Sequence, residues 1–243
     1  MVPSALELML LIGAAFLAST VAAVAGFGGA VILLPVLVAI FGVRDAVPIL
    51  TVAQLIGNGS RVWFNRHELV LEVVGWFSVG AVPLAFLGGL LFASAPLSAL
   101  TKLLGAFLLL TVLWRHLRQG PPRKPPLRGF VLIGAVFSFL SALLGSVGPL
   151  LAPFFLAYGL VKGAYIGTEA LATVVMHVTK LVAYGGASVL TFDSIWVGLA
   201  LGSVMIGGSL TGKRILDRLP ERAFVIVIEA VLVFAGLGFF IGG

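Results

Sequence analysis

Two sets of polar residues stand at helical spacing in otherwise apolar surroundings. Thr51, Gln54, Asn58 and Arg61 are separated by 3, 4 and 3 positions, and Glu169, Thr173, His177 and Lys180 by 4, 4 and 3. Each set therefore lines one face of a helix. Amides, hydroxyls and cations at membrane depth are expensive, and they face a cavity or the interior of a bundle. The two stripes read as opposite walls of one pathway, with Glu169 and His177 able to carry a proton and Lys180 able to balance a negative charge. Each residue also has a plainer reading. Arg61, near the end of its helix, is expected to snorkel to the interface rather than contact a ligand. Gln54 and Asn58 would serve as interhelical glue, His177 as a hydrogen-bonded interior histidine, and Glu169 as a structural ion-pair partner.

A second feature is backbone rather than side chain. Residues 26 to 35 read GFGGAVILLP inside a stretch without charge from Leu8 to Val43, and glycine costs a helix interior about 1 kcal/mol. A related break, Gly145-Ser146-Val147-Gly148-Pro149, lies 119 residues later. At the same offset Ala53 falls on Ala172, Ala81 on Ala200, Gly88–Gly89 on Gly207–Gly208, Gln54 on Thr173, Asn58 on His177 and Arg61 on Lys180. The chain thus divides into a first repeat at 1–118, a linker at 119–128 and a second repeat at 129–243.

The elements that must carry these residues follow from composition. Of 243 residues, 60% are hydrophobic and only 10% charged, far more apolar surface than a soluble core can bury. This excludes a soluble enzyme or nucleic-acid-binding protein and predicts an all-α, polytopic integral membrane protein. The absence of cysteine removes disulfides and thiolate chemistry. The N-terminal MVPSALEL lacks a basic n-region, so the first apolar run is expected to stay in the mature chain. The net charge of +6 comes from clusters at Arg61 and Arg66, at 115–128 and at 213–222, the bias of cytoplasmic loops. Apolar segments are expected at 46–65, 70–92, 97–117, 163–186, 191–212 and 221–242, together with broken runs at 5–42 and 129–159. With the basic clusters inside, both ends of the first broken run lie outside and both ends of the second inside. The second repeat is then an inverted copy of the first, and both termini are outside.

Splitting the broken runs leaves arms at 8–25 and 30–43, and at 129–144 and 149–161. The later arms are short for a span of about 17–25 residues. Either each run is a re-entrant or partial hairpin with its tip buried in protein, or it forms two tilted spans. In the first case each short arm begins at the tip, and its free N–H groups and positive dipole end point inward. Two inverted copies make an anion site of backbone, with Gly28 and Gly29 allowing close approach and Pro149 suiting a first helical turn. Close packing through small residues is the competing explanation.

The sequence Gly26-Phe27-Gly28-Gly29-Ala30 with Pro35-Val36-Leu37, echoed by Gly145 to Pro149 and Pro153, resembles the sulfite exporter TauE/SafE family, also called the toluene sulfonate uptake permeases. The likeness extends over nearly the whole chain; Val147 stands where the family often has glycine. The resemblance implies a multi-pass carrier of the prokaryotic inner (plasma) membrane that moves sulfite, a sulfonate, sulfoacetate or a similar anion. Candidate substrate-binding residues are Phe27, Gly28, Gly29, Gln54, Asn58, Ser146, Gly148, Thr173, His177 and Lys180, with Glu169 and His177 as candidates for proton coupling. The expected partners are a small anion, a coupling ion (H+ or Na+) and the lipid bilayer, with no nucleic acid, cofactor or metal. No HExxH, GxSxG or P-loop motif is present, so a passive anion channel is the nearer alternative and an intramembrane enzyme the more distant one.

Overall fold

The computed structural model describes residues 3–96, 124–145, 147–220 and 223. Among them the only regular structure is helical. The expected segment at 97–117, all of 221–242 but residue 223, the first half (119–123) of the 119–128 linker, and Ser146 lie outside the described residues.

Helix α1, Ala5–Ala25, starts at a capping box: the Ser4 hydroxyl accepts from the Glu7 N–H and the Glu7 carboxylate from the Ser4 N–H. It ends at Gly26, where φ is +83° and the N–H closes on the Ala22 carbonyl at 2.8 Å. A side chain is strained in that left-handed conformation, and the Tyr165 ring fills the space a Cβ would need. The same ending recurs 119 residues later. Helix α4, Phe130–Leu144, stops at Gly145 with φ +80° and its N–H on the Ser141 carbonyl at 2.9 Å. Both expected breaks are therefore present, each followed within three residues by a new helix: α2 at Gly29–Phe64 and α5 at Gly148–Tyr158.

The expected gap before segment 46–65 takes a different form. Helix α2 continues past it, interrupted only at Gly42 (φ +75°, ψ +164°). One glycine in an extended, positive-φ conformation redirects the axis without a loop, giving a short arm over 29–41 and a longer rod over 43–64. The arm is roughly 20 Å long and the rod roughly 33 Å, against a hydrocarbon core of about 30 Å. In the second half α5 ends at Gly159 and α6 begins afresh at Lys162–Gly186. Helix α3 spans Leu71–Ser94, and α7 spans Phe192–Arg218, beyond the expected end at 212. Arg44 closes the C-terminus of α3, donating to the Ala93 and Ala95 carbonyls at 3.0 and 2.5 Å, and Lys162 donates to the Leu219 carbonyl just past α7 at 2.9 Å. Among the described residues six helices, all but α5 and with α4 extended back to Leu127 by a short 3-10 turn, are long and apolar enough to cross a bilayer. The protein is a multi-pass membrane protein, and the exposed Met9, Leu17, Val79, Leu132, Trp196 and Ile206 face outward from it.

Glycine seams set the packing. A Cβ on Gly80 would meet Val131 and Ala135, one on Gly134 the Phe77 carbonyl, and one on Gly88 the Phe139 carbonyl, so α3 and α4 touch backbone to backbone. Gly208 and Gly212 of α7 sit equally close to Phe16 and Thr20 of α1. Along both seams residue numbers rise together, so each pair is parallel. Gly198 and Gly202 of α7 contact Val52 and Ile56 of α2, while Gly167 of α6 meets Leu69 just before α3 and Gly89 of α3 meets Ala183 of α6, so α3 and α6 also run in the same sense. By contrast α2 and α6 are antiparallel: Asn58 meets Thr173 while Arg61 meets Glu169. Thus α1, the α2 rod and α7 run one way, and α3, α4 and α6 the other. The 119-residue offset exchanges the two groups helix for helix.

The α3–α4 seam makes a stability prediction. Gly134→Ala places a methyl on the Phe77 peptide and should cost about 1–3 kcal/mol through a forced backbone shift. Gly75→Ala and Gly185→Ala, where a Cβ meets nothing within 4 Å, should be neutral or slightly stabilising. Melting temperatures of the detergent-solubilised variants check this.

Candidate functional site

The breaks and the polar stripes converge. A cavity of about 40 Å3 is lined by Gly26, Phe27, Gly28, Gly29 and Ala30 of the first break, and by Gly145, Val147 and Gly148 of the second. The α2 rod contributes Gln54, Asn58 and Arg61 to it, and α6 contributes Glu169, Thr173 and His177. At about 10–15 Å3 per water, the space takes three or four waters, or one small oxyanion in their place.

Two helices begin at this cavity. Gly28 caps α2 with no side-chain bond, and the first backbone bond into the helix is from the Ile32 N–H to the Gly28 carbonyl at 3.1 Å. The N–H groups of the preceding turn, including the cavity-lining Gly29 and Ala30, have no carbonyl of their own helix to meet. Val147 likewise caps α5 without a side-chain bond, and Pro149 supplies no N–H, so the second tip presents fewer donors. The tips touch: a Cβ on Gly148 would come within 3.0 Å of the Phe27 Cβ.

The side chains around the tips carry unspent hydrogen-bonding capacity. The Gln54 amide nitrogen, which would lie 3.6 Å from a Cβ on Gly29, and the buried His177 Nδ1 have no hydrogen-bond partner among the described residues. A buried polar atom without a partner costs about 1–3 kcal/mol, which a bound ligand recovers. Asn58 is fully engaged, its amide nitrogen donating to Thr173 Oγ1 at 3.0 Å and its oxygen accepting from the Arg61 guanidinium. It therefore sets the spacing of the two stripes.

Arg61 departs from the sequence reading. It does not snorkel; it is 5% exposed, donates to the Ala22 and Gly26 carbonyls at 3.0 Å each, and lies 3.5 Å from the Glu169 carboxylate. Its helix ends at Phe64, but the neighbour is the broken end of α1, whose carbonyls require donors. The signal in the sequence was the offset that matches Arg61 to Lys180. Lys180 is fully buried and does not line the cavity. It stands one bond behind it, Nζ donating at 3.3 Å to the hydroxyl of Ser141, which does line the cavity. Ser141 is the offset mate of Ala22, so both cations address the last turn before a break. Ser19, Ala22, Gly57, Met176, Met205 and Ser209 complete the lining; none had a spacing signal that marked it. Among the described residues the buried charged side chains are Arg61, Lys180 and Glu169, two basic and one acidic. No group of three metal-ligating side chains occurs among the described residues.

Removing one partner of a buried ion pair costs about 3–5 kcal/mol, because it strands the other charge. Arg61→Met should lower stability by that order, and Arg61→Met with Glu169→Leu should recover a large part of it. A double-mutant cycle on melting curves measures the coupling.

No curated protein and no solved structure matches the chain. A family model does, that of the sulfite exporter TauE/SafE, over residues 11–239, nearly the entire length. With its broken helices meeting at one polar cavity, the chain belongs to the sulfite exporter TauE/SafE family of membrane transporters.

Proposed function

We propose that this protein is a secondary carrier, working in the direction of export, for a small sulfur-containing oxyanion such as sulfite, a sulfonate or sulfoacetate. The single observation that carries the reading is the meeting of two uncapped helix N-termini with the Gln54 amide nitrogen and His177 Nδ1, unpartnered among the described residues, around one cavity. Helix N-termini favour negative charge through both their N–H groups and their dipoles. Phe27, Gly28, Gly29 and Gly148 form the backbone cradle. Gln54, Asn58, Thr173 and His177 form the walls, and Lys180 supplies positive charge from behind Ser141.

We further infer that the two halves, 1–118 and 129–243, are inverted repeats joined by a cytoplasmic linker in a prokaryotic plasma membrane, with both termini outside. The exchange of the two parallel helix groups under the 119-residue offset supports this reading, as do the antiparallel α2 rod and α6. An inverted pair around a central site is the usual basis of alternating access driven by H+ or Na+.

Melting shifts of the purified protein should appear with sulfite, thiosulfate and sulfonates and be missing with amines and neutral solutes, reaching about 2.7 kcal/mol at a hundredfold excess over Kd. In proteoliposomes an imposed ion gradient should drive uphill movement, whereas strictly downhill flux would identify a channel. Gly29→Ala, whose methyl fits at 3.6 Å from its neighbours, should fold normally and weaken binding about tenfold by holding the anion away from the N–H groups. Gly29→Leu should abolish binding, while Gly59→Ala, in open space, should not change it. Normal binding by Gly29→Leu would make the break a packing device.

Orientation is tested separately in the cysteine-free chain. A cysteine at Gly186 should react with an impermeant thiol reagent from outside, and one at His67 only from inside. Labelling of both from one side would contradict the inverted arrangement.

A further inference from the structure

We propose that Glu169 is the resident counter-ion of Arg61, that an incoming anion displaces it, and that a proton taken up by the Glu169 carboxylate completes the exchange. The cavity then binds one anion and one proton together. This inference rests on the anion-binding reading above and specifies its coupling.

The Arg61 guanidinium is held in place without help from Glu169. Its Nη1 donates to the Ala22 and Gly26 carbonyls and its Nη2 to Asn58. Glu169 adds charge rather than geometry: its Oε2 lies 3.5 Å from Nη1 and accepts no hydrogen bond, although the residue is 3% exposed. A buried carboxylate oxygen that balances a cation without bonding to it is poised for replacement. Arg61 and Glu169 both line the cavity with the two tips. An anion seated among Gly29, Gln54 and Arg61 therefore stands close to the Glu169 carboxylate, in surroundings where like charges repel strongly. Protonation of Glu169 removes that repulsion, leaves the guanidinium charge to the anion and turns an acceptor into an O–H donor.

Among the described residues, the other titratable or charged groups facing the pair come from α6 itself: Tyr165, one turn before Glu169, and His177 and Lys180 beyond it. The cavity-lining residues of α1 are Ser19 and Ala22, and those of α7 are Met205 and Ser209, none of them titratable. The arrangement is one-sided. At the 119-residue offset the mate of Glu169 is Leu50, so Lys180 has no matching carboxylate, and the exchange uses a single proton.

Linkage makes the effect reciprocal: what tightens the proton tightens the anion by the same factor. The test uses the full-length protein with sulfate and methanesulfonate, whose own charges stay constant from about pH 5 to about pH 9; sulfite titrates in that range and is avoided. Calorimetry in two buffers of different ionisation enthalpy counts protons. The expected result is uptake of about one proton per anion, with affinity strengthening by up to about tenfold for each unit fall in pH across the transition. E169Q should bind without proton uptake, with a flat pH profile, and above the transition more tightly than the wild type. His177→Gln, which removes one wall of the site, should weaken binding yet keep about one proton taken up per anion bound.

Several outcomes overturn the proposal: no proton uptake by the wild type, an E169Q variant that keeps the wild-type pH slope or binds more weakly at every pH, or loss of uptake in His177→Gln. If E169Q fails to fold, the wild-type proton count and the His177→Gln result decide. Failure of either anion to bind at any pH would sink the anion-site reading and this inference with it, whereas binding without proton uptake would sink this inference alone.

Discussion

The two interrupted helices leave peptide carbonyls without intrahelical partners in the interior of a membrane protein, and the fold is organised around satisfying them. At the first break the Arg61 guanidinium does so for the Gly26 carbonyl, and the same nitrogen also bonds the Ala22 carbonyl, which already accepts the Gly26 N–H. Because Arg61 belongs to the α2 rod, this tether fixes the end of α1 against the helix that carries Gln54 and Asn58. Glu169 then brings α6 to the same point, and Asn58 spans the gap to Thr173. An unsatisfied carbonyl costs several kcal/mol in hydrocarbon, so the break, the tether and the second stripe are bound into one arrangement.

The second break solves the same problem differently. Its last turn is reached by Lys180 through the Ser141 hydroxyl, and Tyr184 closes the neighbouring Ala142 carbonyl at 2.5 Å. A guanidinium offers five donors in a planar fork, an ammonium three on a point charge. The first tip is thus fixed by a rigid fork that also carries a counter-ion. The second is supported by a looser pair of contacts, with its cation facing no carboxylate among the described residues. The two ends of the cavity are alike in layout and unequal in electrostatics.

Much of this could be read from the chain. Both helix breaks were legible because glycine clusters interrupt long uncharged runs, and Gln54, Asn58, Thr173 and His177 because their spacing leaves one face for them. The relative directions of the described helices come from their contacts, and the sidedness expected from loop charge belongs to the proposal. Gly42 was not: it is one of 31 glycines, and no local signal separates the one that bends a helix from those that pack. Arg61 was misread as an interfacial residue because its distance from the helix end says nothing about which neighbour lies beside it. What buries it is the end of another helix, a tertiary fact. Lys180 was recognised as an interior cation, but its place behind Ser141 depends on the approach of α4 to α6, which no spacing along one helix records.

The glycine seams also bear on mechanics. Where Gly80, Gly134, Gly208 and Gly212 seat against opposing backbone, axial sliding by a single residue would drive a side chain into a peptide group, so the α3–α4 and α1–α7 pairs behave as stiff, registered plates. Rotation about a seam meets no such obstacle. The arm over 29–41 joins its neighbour through a single bend at Gly42, and the short α5 joins α6 through the residues 159–161, starting at Gly159. A machine with plates that cannot shear and levers hung on glycine pivots has rocking as its low-cost coordinate, and the space enclosed between the lever tips is the quantity that such rocking changes most.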